Sequence, residues 1–448
     1  MNLGIIGAGY VGLTTGICLS SLGHKIIIYD LINKKIKMIS EKKLPIYEKD
    51  LQELLEKTIS TKTLIPTNQI DEVIKNTDGC FICVGTPSKQ NNDIDLSQVL
   101  DSVKLVSNSI KKFNKNDYII IIRSTIIPSS TKTQILPLLK QILGNNSFGL
   151  CVIPEFLREG EAVSDFMNPD KIVIGSINEK SKNFAKKIFE SFDQATIVTT
   201  NPETAEMIKY ANNGFFSMLI SFSNEIANIS EKIIGVDAFE VLNALVADKR
   251  ITTKFGRQKI KPGLESYLLP GCGFGGSCFP KDVRAILQYA ATKNVKTPLL
   301  NAVMTINDER PHLIVSLAEN LLNSIKNKQI TILGLTFKPD TDDIRSSPSF
   351  EIIKLLKEKD AEIFAYDPNL SQKYPKNQFQ NFTLSATLES SLMNSDLVIL
   401  LTKWNEFKNL DEIFLKKYMK FPLIIDGRGF LDASKFTNNV YHKIGFIR

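Results

Sequence analysis

The segment PGCGFGGSCFPKD, residues 270–282, sets two cysteines in a Cys-x5-Cys spacing within a glycine-rich loop and ends on a lysine–aspartate pair. Thiols in such a setting can ligate a metal, form a disulfide, fill a core or act as a nucleophile. The chain has three histidines, His24, His312 and His442, far apart in sequence, so a zinc site has little to work with. Pro280 suits the first turn of a helix running through KDVRAILQYAATK, which puts Cys278 at a helix N-terminus, where a thiol pKa falls. Asp282, four residues on, falls on the same side of that helix and could also act as a partner of the helix dipole. Cys272 reads as a small packed residue. Gly271, Gly273, Gly275 and Gly276 would let the backbone come close to a bound ligand.

Other residues have spacings that suit charge stabilisation. In AEMIKYANN, Lys209 and Asn213 stand at i and i+4 and share one helix face. A cation and an amide aimed together could stabilise a developing oxyanion; a solvated lysine is the structural alternative. Glu155 and Glu159 in PEFLRE follow the end of a strand. Thr86 in VGTP and Ser124 and Thr125 in RST also close strands, at the edge where ligands of open parallel sheets bind, although hydroxyl residues there also cap helices. Cys80 and Cys83 in CFIC have a CxxC spacing, but three residues along a strand point to opposite faces, so they read as sheet packing.

GAGYVG places Gly7, Gly9 and Gly12 in GxGxxG order after a strand and before a helical pattern, and IIIYD ends on Asp30. Such glycines permit a tight turn, close approach of a pyrophosphate and close helix–strand packing, with phosphates at the helix N-terminus. Asp30 is placed to accept from both ribose hydroxyls and would repel a 2′-phosphate, which favours NAD over NADP. Lys35 reads as a surface charge within reach of the adenosine.

The elements that must hold these residues follow from patterning. The runs 3–7, 25–30, 79–85, 118–124, 149–154 and 171–175 are rich in Ile and Val and alternate with helical patterns, implying a parallel sheet covered on both faces. From Pro202 a helical pattern of about 30 residues runs toward Gly235 and would bridge domains or form a dimer seam. Strand–helix alternation returns at 329–335, 361–367, 396–402 and 422–428 without a second glycine fingerprint. The expected fold is α/β: a Rossmann-type doubly wound domain over 1–200, a central long-helix domain over 201–322 and a second Rossmann-like α/β domain over 323–448. Ligands are expected in a cleft between the two sheets.

At 448 residues, with 43% hydrophobic and 23% charged residues, the composition is that of a globular protein of two or three domains. The net charge of +7 suits anionic small molecules and is too weak to argue for nucleic acid. MNLGIIGAGY begins a strand at once rather than a secretory signal, and no apolar run could span a membrane. The expectation is therefore a cytoplasmic protein with reduced thiols, no disulfides and no metal.

In order, GAGYVGL, LPIYE, VGTP, RST, PEFLREGEAVSDFMNPDKIVIG, AEMIKYANN, DKRI, PGCGFGGSCFPKD, GLTFKPDTDDIRSSP, TKWNEF and DGR resemble the UDP-glucose/GDP-mannose dehydrogenase family over essentially the whole chain. The resemblance implies four-electron oxidation of a nucleotide sugar with two NAD, through an aldehyde held on a cysteine as a thiohemiacetal and then a thioester that water cleaves. It implies Cys278 as nucleophile and Asp282 assisting water activation with Thr125 and Glu155, Glu155 being the general base. Lys209 and Asn213 would stabilise the oxyanion. On the cofactor side it implies Gly7, Gly9, Tyr10, Val11, Gly12, Asp30, Lys35, Thr86, Ser124, Glu159 and Arg345. On the substrate side it implies Glu155, Phe156, Leu157, Lys209, Asn213, Tyr267, Leu268, Gly275, Lys338 and Arg428, with Arg250 reaching in from a second subunit of a homodimer.

The motifs NPDKIVIG and GFGGSCFPKD lean toward the UDP-glucose branch, with UDP-glucuronate as product and a place in polysaccharide biosynthesis. RSTIIPSST leans toward GDP-mannose, and another UDP-hexose is a further alternative. TKWNEF and DGRG each differ by a residue from the usual TEW and DGRN. A regulatory nucleotide-sugar-binding protein without catalysis is the remaining reading, against which the retention of Thr125, Glu155, Lys209, Asn213, Cys278 and Asp282 together counts.

Overall fold

The β-branched runs of the N-terminal part form strands, as expected for residues whose stiff side chains pack well on a pleated surface. A computed structural model describes residues 1–255, 258–260, 263–375 and 378–447. The chain divides into two compact units, Met1–Asn212 and Asn213–Arg448.

The first unit is built on eight strands: β1 (Asn2–Ile6), β2 (Lys25–Tyr29), β3 (Leu64–Thr67), β4 (Gly79–Ile82), β5 (Tyr118–Ile122), β6 (Phe148–Val152), β7 (Lys171–Ser176) and β8 (Thr196–Thr200). Their order in the sheet is β3-β2-β1-β4-β5-β6-β7-β8. Neighbouring strands are parallel except β6 and β7, which corrects the expectation of a wholly parallel sheet. β7 enters from beyond the carboxyl end of β6 and overlaps it only at Cys151↔Ser176 and Val152↔Gly175. The segment between them, which carries Glu155 to Glu159, is thereby held beyond the sheet edge. The patterning did not single out β3 or β8. β3 contains Pro66, which an edge position tolerates, and β8 is largely exposed.

A 29-residue helix, Pro202–Ser230, runs across the division between the units. The second unit contains an antiparallel hairpin of β9 (Thr253–Phe255) and β10 (Gln258–Ile260) and the helices Phe279–Thr292 and Pro298–Leu322. Its sheet comprises β11 (Gln329–Leu333), β12 (Glu362–Tyr366), β13 (Thr383–Leu384), β14 (Leu397–Leu400), β15 (Ile424–Asp426) and β16 (Tyr441–Lys443). All its neighbours are parallel, in the order β13-β12-β11-β14-β15-β16. The two edge strands β13 and β16 have two and three residues, too few for a periodic pattern to reveal.

The α/β class and the two open sheets thus match the expectation. Among the described residues no group of His, Cys, Asp and Glu is arranged to hold a metal ion, and no helix is long and apolar enough to cross a membrane. None of the six cysteines forms a disulfide; five are buried and Cys278 alone is half-buried.

Candidate active site

The first cluster grows from the turn after β1. Gly7 has φ +101° and donates its N–H to Tyr29 O at 2.8 Å, which starts the turn. A Cβ on Gly12 would lie 1.9 Å from Gly7 O, so helix Tyr10–Ser21 can pack this close only with glycine there. A Cβ on Gly9, by contrast, would meet nothing within 4 Å, leaving open space at the helix N-terminus. Asp30 accepts from Ala8 N at 2.8 Å and Ile32 N at 2.9 Å and pairs with Lys35 Nζ at 3.3 Å. The Lys35 charge is therefore partnered by Asp30. An open cradle beside a strand-end carboxylate fits a dinucleotide.

Around this turn, Val11 and Tyr10 are half-buried on the first turn of the helix. The Tyr10 hydroxyl donates to Glu48, which also accepts from Gly160 N at 2.7 Å and Ala162 N at 2.8 Å. Burial first, and then Glu48, push the Tyr10 phenol above its ordinary pKa. Glu48, the last residue of LPIYE, had no role assigned from sequence; a buried carboxylate is rare enough that its burial at 4% is the signal that finds it. Thr86 and Ser124 are buried near strand ends, and Ser124 Oγ donates to Val84 O at 2.7 Å, tying two strand exits together rather than capping a helix. Cys80 and Cys83 pack in the sheet, where burial pushes both thiols up to about 12.

The second cluster is the segment after β6. Lys209 Nζ donates to Glu155 O at 2.7 Å and to Glu155 Oε1 at 2.9 Å, while Leu157 N donates to Glu155 Oε2 at 2.7 Å. Both charged groups are buried, with side chains 5% and 7% exposed. Burial would raise the Glu155 carboxyl, but Lys209, the Leu157 amide and Arg123 outweigh it and hold the group below its ordinary value. The Lys209 ammonium also lies over the Phe156 ring at 5.5 Å, and Lys171 lies over the same ring at 4.5 Å. Lys171, in NPDKIVIG, was not among the candidates; its ammonium is lowered by burial and donates to Asn212 Oδ1 at 2.8 Å. Leu157 and Glu159 are half-buried on the same segment, and Thr125 is half-buried after β5.

The third cluster lies in the second unit. Cys278 is the N-cap of helix Phe279–Thr292, and Pro280 is in its first turn, as the sequence implied. Asp282 N donates to Cys278 O at 2.8 Å, closing the first helical turn. The Asp282 carboxylate is 1% exposed and accepts from Asn213 Nδ2 at 2.7 Å and Lys281 Nζ at 2.5 Å. Lys281, adjacent in PKD, had no role assigned from sequence. Lys209 thus donates to the Glu155 carboxylate and Asn213 to that of Asp282.

Cys272 is a different thiol. It is fully buried, its Sγ donates to Gly427 O at 3.1 Å, and burial pushes its pKa up. The glycines of its loop serve the chain's own packing: a Cβ on Gly275 would lie 2.3 Å from Ser346 O, and one on Gly271 would lie 2.6 Å from Arg428 Nη1. Polar side chains pin the loop backbone: Asn224 Oδ1 on Gly271 N at 2.8 Å, Arg310 Nε on Gly271 O at 2.9 Å, and Asn307 Oδ1 on Phe274 N at 2.7 Å. All three are buried helix residues that sequence reasoning missed, since a polar residue inside an amphipathic pattern gives no sign of its distant partner.

Of the other substrate candidates, Tyr267 packs against Phe216 with ring centroids 4.5 Å apart and the rings tilted by 37°, and Leu268 is buried. Arg428 is half-buried, with Nε on Leu401 O at 2.6 Å, and Lys338 lies over the Phe337 ring at 5.9 Å. Arg250 and Arg345 are exposed and paired with Asp248 at 2.8 Å and Asp343 at 2.7 Å.

The dinucleotide turn and buried Lys–Glu pair of the first unit, and the helix-capping cysteine one turn from a buried aspartate in the second, are the residue types a nucleotide-dependent dehydrogenase uses. The sequence profile of the NAD binding domain of the UDP-glucose/GDP-mannose dehydrogenase family matches residues 1–193, that of its central domain residues 203–309, and that of its UDP binding domain residues 331–433. The chain belongs to this family and is an NAD-dependent enzyme. It is 40% identical to a UDP-glucose 6-dehydrogenase of Rickettsia bellii over 97% of this chain and 96% of that one. It is 35% identical to the UDP-glucose 6-dehydrogenase TuaD of Bacillus subtilis, over 99% of this chain and 93% of that one. Among solved structures, a UDP-glucose dehydrogenase from Pyrobaculum islandicum superposes with a TM-score of 0.90 at 30% identity, covering 100% of this chain and 98% of that one.

Proposed function

We propose that this chain oxidises UDP-glucose to UDP-glucuronate, taking four electrons from the sugar's C6 hydroxymethyl group. Full-length similarity to relatives named for that substrate supports this reading. The observation that carries the chemistry is Cys278, the one half-exposed thiol, at a helix N-cap with buried Asp282 one turn on. Bound NAD would supply the hydride acceptor for each of the two oxidations, so two NAD would be consumed per sugar nucleotide. The residues account for what lies between. The Cys278 thiol adds to the C6 aldehyde, forming a C–S bond and a thiohemiacetal. Loss of the second hydride and of the hydroxyl proton leaves a thioester. Water then attacks the acyl carbon, the C–S bond breaks, and carboxylate and free thiol are released.

Glu155 acts as base for that water in this reading, and its depressed pKa supports an ionised carboxylate at neutral pH. The Lys209 ammonium and Asn213 amide stabilise oxygen charge at C6, with Thr125 and Asp282 assisting the water. Gly7, Gly9, Tyr10, Val11, Gly12, Asp30, Lys35, Thr86, Ser124, Glu159 and Arg345 hold the cofactor. Phe156, Leu157, Tyr267, Leu268, Gly275, Lys338 and Arg428 hold the nucleotide sugar. The enzyme acts in the cytoplasm, where the thiol stays reduced.

It works as a homodimer with Arg250 contributed across the interface. Phe215, Phe222 and Ile229 support that reading: they recur every seven residues on the helix Pro202–Ser230 and are 48%, 40% and 55% exposed. Purified enzyme should form two NADH per UDP-glucose. Faster turnover of GDP-mannose or another UDP-hexose would overturn the substrate, and one NADH per sugar would overturn the four-electron chemistry.

A further inference from the structure

TKWNEF is the motif for which the reaction so far has no use, and its lysine stands where the family usually has an acid. Leu400 at the end of β14 is in register with Asp426 at the end of β15, so the chain leaves the sheet side by side at these two points. Lys403 and Arg428 lie just beyond them. Arg428 Nε donates to Leu401 O at 2.6 Å and links the two exits. Lys403 is flanked by residues locked into the core: Thr402 Oγ1 donates to Thr336 O at 2.6 Å, and the Trp404 indole N–H donates to Asp367 at 3.1 Å. Its backbone is therefore fixed, and its side chain is half-buried.

The counter-charges at this edge are already engaged. Asp426 is 0% exposed and accepts from the N–H groups of Arg428, Phe430 and Leu431 and from the Tyr441 hydroxyl. Asp367 is likewise enclosed and accepts from Leu335 N, Thr336 and Trp404. Among the described residues neither Lys403 nor Arg428 forms an ion pair, and the Lys403 ammonium makes no hydrogen bond. Burial and then the neighbouring Arg428 lower the Lys403 pKa, and Asp426 only partly offsets them. Two partly desolvated cations held side by side oppose folding unless an anion joins them.

We propose that Lys403, together with Arg428, recognises the diphosphate of the nucleotide sugar and is a specificity-determining residue for diphosphate over base. This rests on the reading that Arg428 holds the nucleotide. A diphosphate carries the two or more negative charges that the pair lacks, and a lysine binds phosphate as a compact point charge while the arginine supplies a fixed fork.

The test is inhibition of the purified, full-length enzyme by UDP, UMP and uridine in Lys403→Gln, Lys403→Glu and Arg428→Ala variants. Lys403→Gln should raise the Ki for UDP by about tenfold and Lys403→Glu by more, since the new carboxylate would also occupy Arg428. Uridine inhibition and the KM for NAD should not move. The Tm of ligand-free Lys403→Gln should stay level or rise, and its UDP-induced Tm increase should shrink; a merely structural lysine would lower the ligand-free Tm. An unchanged UDP Ki in Lys403→Gln beside a raised one in Arg428→Ala would overturn the inference alone. Unchanged values in both would overturn the nucleotide reading of this sheet edge and the inference with it. Equal losses for UDP and uridine would overturn the assignment to the diphosphate.

Discussion

In the first sheet Gly7 follows β1 with φ +101° and donates to Tyr29 O at 2.8 Å; in the second, Gly334 follows β11 with φ +93° and donates to Tyr366 O at 2.8 Å. The next amide, of Ala8 or of Leu335, donates at 2.8 Å to the aspartate that ends the neighbouring strand, Asp30 or Asp367. The strand orders β2-β1-β4-β5-β6 and β12-β11-β14-β15-β16 correspond one to one. IIIYD and IFAYD even share their last two residues. Beyond these shared bonds the sheets diverge. Gly9 leaves open space next to Asp30, whereas Thr336 and Trp404 close over Asp367 with a hydroxyl and an indole N–H. One turn thus serves as a folding device in both sheets, and the residues placed over it decide whether a ligand can use it.

The largest effect should come from outside both turns. Cys278→Ser should lower steady-state NADH formation by at least about 10³-fold, since removal of a covalent nucleophile disables the whole sequence. Cys272→Ala in the same loop should retain most turnover and lose only stability, measured as a lower Tm. Comparable loss of turnover in both variants would show that the two thiols are not functionally distinct.

The sharpest test of the comparison is one substitution made at both strand-end aspartates. Asp367→Asn should destabilise the protein by about 3 kcal/mol, because an enclosed acceptor of several donors loses its charge and one acceptor oxygen. Asp30→Asn should raise the KM for NAD by roughly tenfold, with a stability change below about 1.5 kcal/mol. Denaturant unfolding and NAD saturation curves on the two variants would separate the roles. A cofactor effect at Asp367 equal to that at Asp30 would end the distinction.

Gly9→Ala and Gly334→Ala sharpen it further. Alanine at 334 must take a positive φ and place a Cβ 2.4 Å from Thr402 Cβ, so Tm should fall by several degrees. Alanine at 9 finds open space, so Tm should hold while NAD affinity drops several-fold.

A pH-dependent effect within the first unit concerns Glu206, which accepts from Ser129 N at 2.6 Å and Thr131 N at 2.9 Å. Burial raises its carboxyl from 4.5 to about 7. The native state then holds a proton that the unfolded chain releases above its ordinary pKa. This contribution to stability is complete below about pH 4.5 and is lost as pH rises to about 7, a swing of at most roughly 3 kcal/mol. Tm measured across that window should show the decline in the parent and a flatter profile in Glu206→Gln. A parallel profile would remove Glu206 as its source.

Much of the site was legible wherever its chemistry depends on residues close in sequence. Gly7, Gly9 and Gly12 lie within one turn, Asp30 ends the next strand, and Cys278, Pro280 and Asp282 share the start of one helix; local geometry alone sets their relations. The antiparallel β7 was not legible, because a strand's direction leaves no mark on its hydrophobic pattern. Lys209 illustrates the intermediate case. Its helix face was readable, but its pairing with Glu155, 54 residues away, was not.

The sequence by itself determined the α/β class, the dinucleotide turn after β1 and which thiol caps a helix, since strand period, glycine spacing and helix-start signals act over a few residues. Only the tertiary structure decided which carboxylates Lys209 and Asn213 hold, that Trp404 closes Asp367, and that Lys403 stands beside Arg428 with no ion pair of its own among the described residues. These depend on which strands become neighbours and in what register, and a short-range pattern carries no record of either.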